Sequence, residues 1–401
     1  MTPLPPELTA LLHAIADAVR DGDGYHAHML AQRIRQQIAR DPALPDSVEQ
    51  QVRALLAELR VDENLDAIEA IRHNDRTSEP GVEYPVWFGT NRKPTADRQG
   101  FSHERHDMTT LGRVRVHVPA AHRFGETGNS FWRRLLRRDL RDDRLRLTQV
   151  ETQAREDWFD ELLQTTQLAR DAGETPHALV FIHGYNTTFA DAAIRAAQIG
   201  YDLKVLGPTA FFAWPSFGRV IAYPADEAAI EASEGAIAEF LVDFAAHCGA
   251  ERLHVIAHSM GNRGLLRALQ RISGRVRFAQ IVLAAPDVDR GLFLDLANLF
   301  PDHSARTTLY TSAGDRAVHL SAIVHASPRA GYFKPHTVAP GIDTIAVPDF
   351  DLELLGHGYF AQASALLHDI HVLMRYDTAP MQRQCISPAR DNDTTFWQLA
   401  R

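Results

Sequence analysis

Apolar residues recur every three to four positions near the start of the chain: Leu8, Leu11, Leu12 and Ile15, then Leu30, Ile34 and Ile38, then Val48, Val52, Leu55, Leu56 and Leu59. That period puts each set on one face of a helix, and Pro42 and Pro45 break the pattern before the last set. Residues 1–75 therefore read as a small antiparallel helical domain, and the polar run from His73 to Gly81 supplies a linker placed at 76–83. From Tyr84 the pattern shortens. The segments VWFGTNR (Val86 to Arg92) and VRVHVP (Val114 to Pro119) are β-rich, and the second alternates as a strand with one solvated face does. The stretch Phe131 to Arg146 carries a dense basic cluster, but acidic residues interrupt it, so it reads as a solvated helix or loop rather than a phosphate site.

A regular alternation follows: HALVFIH, a helix from Phe189 to Leu206, TAFFAWP, a helix across Asp226 to His247, RLHVIAHS, a helix from Asn262, FAQIVLAAPD, a helix from Leu292, then TTLYTSAGD. Near-continuous apolar strands separated by amphipathic helices predict a mainly parallel sheet covered on both faces, a doubly wound α/β domain over 84–376 with a tail at 377–401. Ligands of such sheets bind beyond the carboxyl ends of the strands, so the residues just after each strand carry the functional question.

Composition narrows the classes. A formal net charge of −9 lacks the basic excess of a nucleic-acid binder. The two cysteines, Cys248 and Cys385, are too few for a disulfide framework and show no metal spacing, so both read as plain thiols and no metal is expected. The first residues lack the basic start of a secretory signal, and no uncharged run is long enough to span a bilayer, so the expectation is a cytoplasmic protein.

The chemistry concentrates at the strand LHVIAHS, which runs straight into MGNRGLLRAL and places Ser259 at a strand-to-helix corner in the pattern A-H-S-M-G. A nucleophile elbow needs small neighbours so that strand and helix can approach; Gly261 fits, and Ala257 replaces the first glycine of G-x-S-x-G. The segment FIHGYNTTF ends a buried strand in His183-Gly184 and suits an oxyanion hole, with the backbone amides of Tyr185 and Met260 as donors. A carboxylate at a later strand end is needed to orient the base: Asp315 is favoured, with Asp287 as its competitor. Of the later histidines His319, His325, His336, His357, His368 and His371, the glycine-flanked His357 in LLGHGYF best suits a loop that presents an imidazole. Trp214 and Phe217, after the strand TAFFA, are expected near a substrate pocket.

The pieces FGTNR, FIHGYNTTF, AWPSFGR, HVIAHSMGN, VLAAPDVD, LYTSAGDRA, SPRAG and DTIAV followed by LLGHGYF resemble, in this order, a bacterial branch of the α/β-hydrolase superfamily long catalogued as a domain of unknown function. The likeness runs from about Val86 to Leu373. It implies the α/β-hydrolase fold and a serine triad on Ser259, Asp315 and His357, without naming a substrate. Together the residues and the resemblance lead to a carboxylic ester hydrolase that needs no cofactor and acts on a small-molecule ester through an acyl-enzyme. The rivals are a lipase or phospholipase, an amidase with the same triad, and a non-catalytic scaffold. The N-terminal helices are expected to mediate self-association or to recruit a protein partner.

Overall fold

In the computed structural model the described residues are 81–97, 100–120, 122, 124, 144–219, 222–312, 327–332, 334–347, 360–391 and 394–399, with scattered positions between 5 and 55. The chain divides into two compact units. In the N-terminal unit the described residues Leu8, Leu12, Ile15, Ala31, Ile34, Val48 and Val52 are helical and buried against one another.

The larger unit is built on an 11-stranded sheet. Its elements in chain order are β1 (Val82–Pro94), β2 (Phe101–Val118), β3 (Arg146–Thr152), α1 (Arg155–Asp171), β4 (His177–Ile182), α2 (Phe189–Asp202), β5 (Thr209–Ala213), α3 (Tyr223–Glu231), α4 (Glu234–His247), β6 (Arg252–His258) and α5 (Gly261–Ile272). There follow β7 (Phe278–Ala284), α6 (Arg290–Asp295), α7 (Leu299–His303), β8 (Ser304–Ser312), β9 (Ile342–Val347), α8 (Phe360–Tyr376), β10 (Ile386–Asp391) and β11 (Thr394–Leu399). The spatial order is β10-β11-β9-β8-β7-β6-β4-β5-β1-β2-β3. Pairing is parallel from β11 through to β1, while β2, β3 and β10 are antiparallel additions at the two edges.

Every residue of β4 and β5 is buried, as strands sandwiched between helical layers must be. On one face α1, α4 and α5 pack Trp158, Phe240, Phe244 and Leu265 against Val180, Phe212 and Val255. On the other, α2 and α8 pack Ala193, Ala196, Leu366 and Leu373 against Phe181, Phe211 and Ile256. Along the chain β4 leads outward to β5, whereas β6 returns to the opposite side of β4 and continues to β7. The strand order thus reverses between β4 and β6, and a crevice opens beyond their carboxyl ends.

Three departures from the sequence expectation have local causes. The helix expected across Asp226 to His247 is two helices, because Ser233 returns its hydroxyl to the Ala229 carbonyl at 2.7 Å and closes the first of them. The helix expected from Phe189 to Leu206 ends at Asp202, where Lys204 turns to φ 52°. Within the segment expected as a tail, 377–401, the described residues form β10 and β11, which extend the sheet, with β11 parallel to β9. No helix among the described residues is long and apolar enough to cross a membrane.

The C-terminal segment is tied in by a buried polar group. Arg383 donates to Asp369 of α8, with Nε at 2.9 Å from Oδ1, and to the Tyr310 hydroxyl at 2.9 Å, while that hydroxyl donates to Asp369 at 2.7 Å. Burial, then the neighbouring Asp369 carboxylate, pushes the Tyr310 phenol well above its ordinary range. Arg383→Met should lower the unfolding free energy by ~3–5 kcal/mol, because it strands the Asp369 charge. Urea denaturation at neutral pH measures this; a loss below ~1 kcal/mol would show that Asp369 is satisfied without Arg383.

Candidate active site

The crevice at the strand reversal is lined by two turns, one after β4 and one after β6, and both are shaped by the absence of side chains. Ser259 follows β6 directly with φ 48°, a left-handed backbone that a non-glycine residue rarely adopts. Its amide donates to Ala284 O at 2.9 Å, while its carbonyl accepts from the amides of Asn262 and Asp287 at 3.1 Å each. Asn262 adds side-chain bonds from Nδ2 to Ala257 O at 3.1 Å and Ser259 O at 3.0 Å. This overdetermined corner fixes the serine where strand becomes helix. The Ser259 hydroxyl has no hydrogen-bond partner among the described residues.

Gly261 lies against the preceding strand. A Cβ there would fall 2.5 Å from His183 O and 2.7 Å from Ile182 O, so only glycine lets α5 start this close to β4. Gly184 is equally confined: a Cβ would meet His258 Nδ1 at 2.9 Å and Ser259 Cβ at 3.0 Å. The His183-Gly184-Tyr185 turn therefore sits against the serine. The Met260 amide, at the head of α5, has no acceptor among the described residues and lies where the helix dipole favours negative charge. The Tyr185 ring turns away, packing edge-on against Tyr223 with centroids 5.3 Å apart.

The turn after β4 is held by a buried polar clamp. The fully buried Asp226 of α3 accepts from the Asn186 amide at 3.1 Å and the Ser216 hydroxyl at 2.6 Å through Oδ2, and from the Phe217 amide at 2.8 Å through Oδ1. Ser216 Oγ accepts from the Thr187 amide at 3.0 Å. From β1, Arg92 reaches into the same place and donates to Thr187 O at 2.8 Å and Ser216 O at 3.0 Å. Burial lowers the Arg92 guanidinium to about 10, against the pull of Asp226 and Asp191. Sequence reading missed Asp226, which looks like an ordinary first-turn acid of its helix; the motifs FGTNR and AWPSFGR were visible, but not what joins them.

The remaining sequence-selected residues fall as follows. Trp214 is fully buried; its indole N–H donates to His183 O at 2.8 Å and its ring stacks on His183 at 4.9 Å. It shapes the turn after β4 instead of offering a ligand surface. Phe217 is about one-third exposed and packs at a tilt against His103, with ring centroids 4.6 Å apart. Asp315 and His357 lie outside the described residues, as do His319 and His325. Of the other late histidines, His336 stacks on Phe396 at 3.9 Å, His368 sits exposed on α8, and His371 Nδ1 pairs with Leu203 O at 2.9 Å. Asp287, the rival acid, is buried and engaged: Oδ2 accepts from the Tyr223 hydroxyl at 2.5 Å, and Oδ1 lies 3.4 Å from both Arg263 Nη2 and Arg329 Nε.

A cavity of about 380 Å³ adjoins the elbow between α2, α8 and the sheet. His258, the residue before Ser259, lines it. Burial, then the Arg195 charge, lowers the His258 imidazole to about 4, and burial, then Arg92, lowers His183 to about 3. Both rings are neutral at physiological pH.

A family profile described as "Alpha/beta hydrolase of unknown function (DUF900)" matches residues 155–375. Among solved structures, an uncharacterized protein from Bacillus cereus is similar at 13% identity and TM-score 0.34; the alignment covers 51% of this chain and spans 61% of that protein's length. An ester hydrolase from the metagenome of Lake Arreo aligns at 12% identity over 93% of this chain and 98% of its own, with TM-score 0.34. A hyperthermophilic esterase from the archaeon Pyrobaculum calidifontis aligns at 13% identity over 93% and 98%, also with TM-score 0.34. No match is found among curated proteins.

The neutral histidines give the fold a pH dependence of fixed sign. Unfolded, His183 and His258 take up protons below the ordinary 6.5; folded, they resist until about 3 and about 4. The unfolded state then binds more protons, so stability falls as pH drops from 6.5 toward 4. His258→Gln should flatten that fall by removing one such site. Urea midpoints of both proteins across this range check it; an unchanged slope would mean that His258 protonates as readily folded as unfolded.

Proposed function

Taking as premise that this chain belongs to the DUF900 family of α/β hydrolases, we propose that it is a serine hydrolase of carboxylic esters, with Ser259 as nucleophile and Asp315 and His357 completing its triad. The observation that carries this reading is the strained Ser259, φ 48°, with its hydroxyl unpartnered and the Gly184 turn against its Cβ. A strained backbone persists only where its surroundings overdetermine it, and such places cluster at reactive groups.

The acid and base are assigned from strand ends. In sequence Asp315 comes three residues after β8 and His357 falls between β9 and α8, and β8 and β9 run parallel to β6, the strand that Ser259 follows. Asp287 is the weaker choice, because a carboxylate already engaged by Tyr223 and two guanidinium groups offers little to an imidazolium. In the reaction, His357 takes the Ser259 proton as Oγ attacks the ester carbonyl. The amides of Tyr185 and Met260 stabilise the oxyanion. His357 then returns that proton to the departing alcohol as the acyl–oxygen bond breaks, and water, deprotonated by the same imidazole, releases the acid.

A fluorophosphonate probe should label Ser259 and fail on Ser259→Ala, since only an activated serine reacts quickly with such an electrophile. Label on another residue, or none on folded protein, would sink the hydrolase reading. Asp315→Asn should lower kcat on an activated ester by a large factor, on the order of 10⁴ where such a change has been measured in serine proteases. Asp287→Asn should cost far less. If the ranking is reversed while circular dichroism shows both variants folded, the acid belongs to the end of β7.

A further inference from the structure

The cavity beside the elbow shares walls with the reactive corner. Three of its residues touch that corner: His258 precedes Ser259, Gly184 packs against the Ser259 Cβ, and Ala284 accepts the Ser259 amide through its carbonyl. Its base is apolar, formed by Phe181 and Ile256 of the sheet, Ile199 of α2, and Leu366, Leu367 and Ile370 of α8, all buried. Its rim is polar, where Asn186 and Asp191 are exposed. His258, whose buried Nε2 has no hydrogen-bond partner among the described residues, is the lining residue next to Ser259 in the chain.

Arg195 of α2 also lines the cavity, close enough to the His258 ring for its charge to act on it. This charged group therefore stands toward the serine end, while Leu366, Leu367 and Ile370 make the α8 end apolar. A packed core closes such space, because an apolar void forfeits dispersion contacts. The volume, about 380 Å³, lies within the ~300–1,000 Å³ of ligand pockets. It is roughly a dozen times the ~30 Å³ share of one water molecule, room for a chain of about eight carbons.

We infer that this cavity holds the acyl chain of the substrate, an unbranched aliphatic acyl group of medium length, with its carbonyl at the Ser259 end and its tail against Leu366, Leu367 and Ile370. This assignment rests on the ester-hydrolase reading of Ser259. It places the selectivity of the enzyme in the acid half of the ester. The alcohol leaves toward solvent.

The test is a series of p-nitrophenyl esters from acetate to dodecanoate, paired with titration calorimetry of octanoate into Ser259→Ala. At about 0.8 kcal/mol per buried methylene, kcat/KM should rise roughly three- to fourfold per carbon up to about eight carbons and then level or fall. Ile194→Trp, which adds bulk from the partly exposed α2 wall, should lower the octanoate-to-acetate ratio of kcat/KM by about tenfold or more and weaken octanoate binding. Leu367→Ala should shift the optimum to longer chains, an enlargement that does not depend on a tolerated tryptophan. Turnover that is flat or falling beyond acetate, with octanoate binding absent or indifferent to Ile194→Trp, overturns the cavity assignment and leaves Ser259 chemistry standing. Octanoate binding weakened by Ile194→Trp, in a protein that neither labels at Ser259 nor turns over any ester, overturns the hydrolase reading while supporting the cavity as a site for an aliphatic chain.

Discussion

The architecture depends on how closely the head of α5 approaches the end of β4. Gly261 lies where any Cβ would be 2.5 Å from a β4-end carbonyl, and this contact sets the distance between the two turns that flank the crevice. A left-handed serine costs of the order of 1–2 kcal/mol. Ser259 keeps that conformation because its own amide and carbonyl are both satisfied by neighbouring backbone, and the Asn262 side chain braces three carbonyls around it. Relaxing the serine would break several of these bonds at once. The strain is thus held by the β6–β7 sheet junction and the first turn of α5 rather than by the serine itself.

A second constraint fixes the other half of the crevice. Besides the packing of Tyr185 on Tyr223, the turn after β4 is pinned by charge: Asp226 of α3 and Arg92 of β1 satisfy its amides and carbonyls together. Neither group would be stable alone at this depth, since an unpaired buried charge costs several kcal/mol. Linked through Ser216, they join β1, the β5–α3 connection and the β4–α2 turn, three pieces far apart in sequence. In the proposed reaction the oxyanion donors must not move when charge appears, and the buried clamp is what holds this turn rigid.

This contrast explains what the sequence made legible. The elbow could be read because its physics is local: a buried strand, small flanking residues and a helix start are contiguous letters around Ser259. The parallel sheet was equally readable from apolar runs such as HALVFI and TAFFA, since strands covered on both faces have no alternation to hide. Asp226 and Arg92 were opaque because their meaning is tertiary; either could stand on any exposed helix or strand. The last two strands escaped for a related reason. In β11 only Phe396 and Leu399 are buried, too short a signal to set ISPARD and TTFWQL apart from a tail. Trp214 invited a pocket reading because aromatic residues after a strand often line ligands, yet its indole was already engaged by the His183 carbonyl.

Asp287 shows how neighbouring strand ends divide the work. Its amide bonds the Ser259 carbonyl, its carbonyl accepts from Arg263 Nε, and its carboxylate gathers Arg263, Arg329 and Tyr223. Arg263 lies in the first turn of α5, beside an unfavourable positive helix end, and the Asp287 and Glu227 carboxylates offset that charge. The residue therefore braces the elbow from the side opposite Gly184. The carboxylate is already engaged by two guanidinium groups and a hydroxyl, so using it to steady an imidazolium would weaken the brace each time the base took a proton. In the proposed triad the acid follows β8 instead, which leaves the β7 end to hold the serine still.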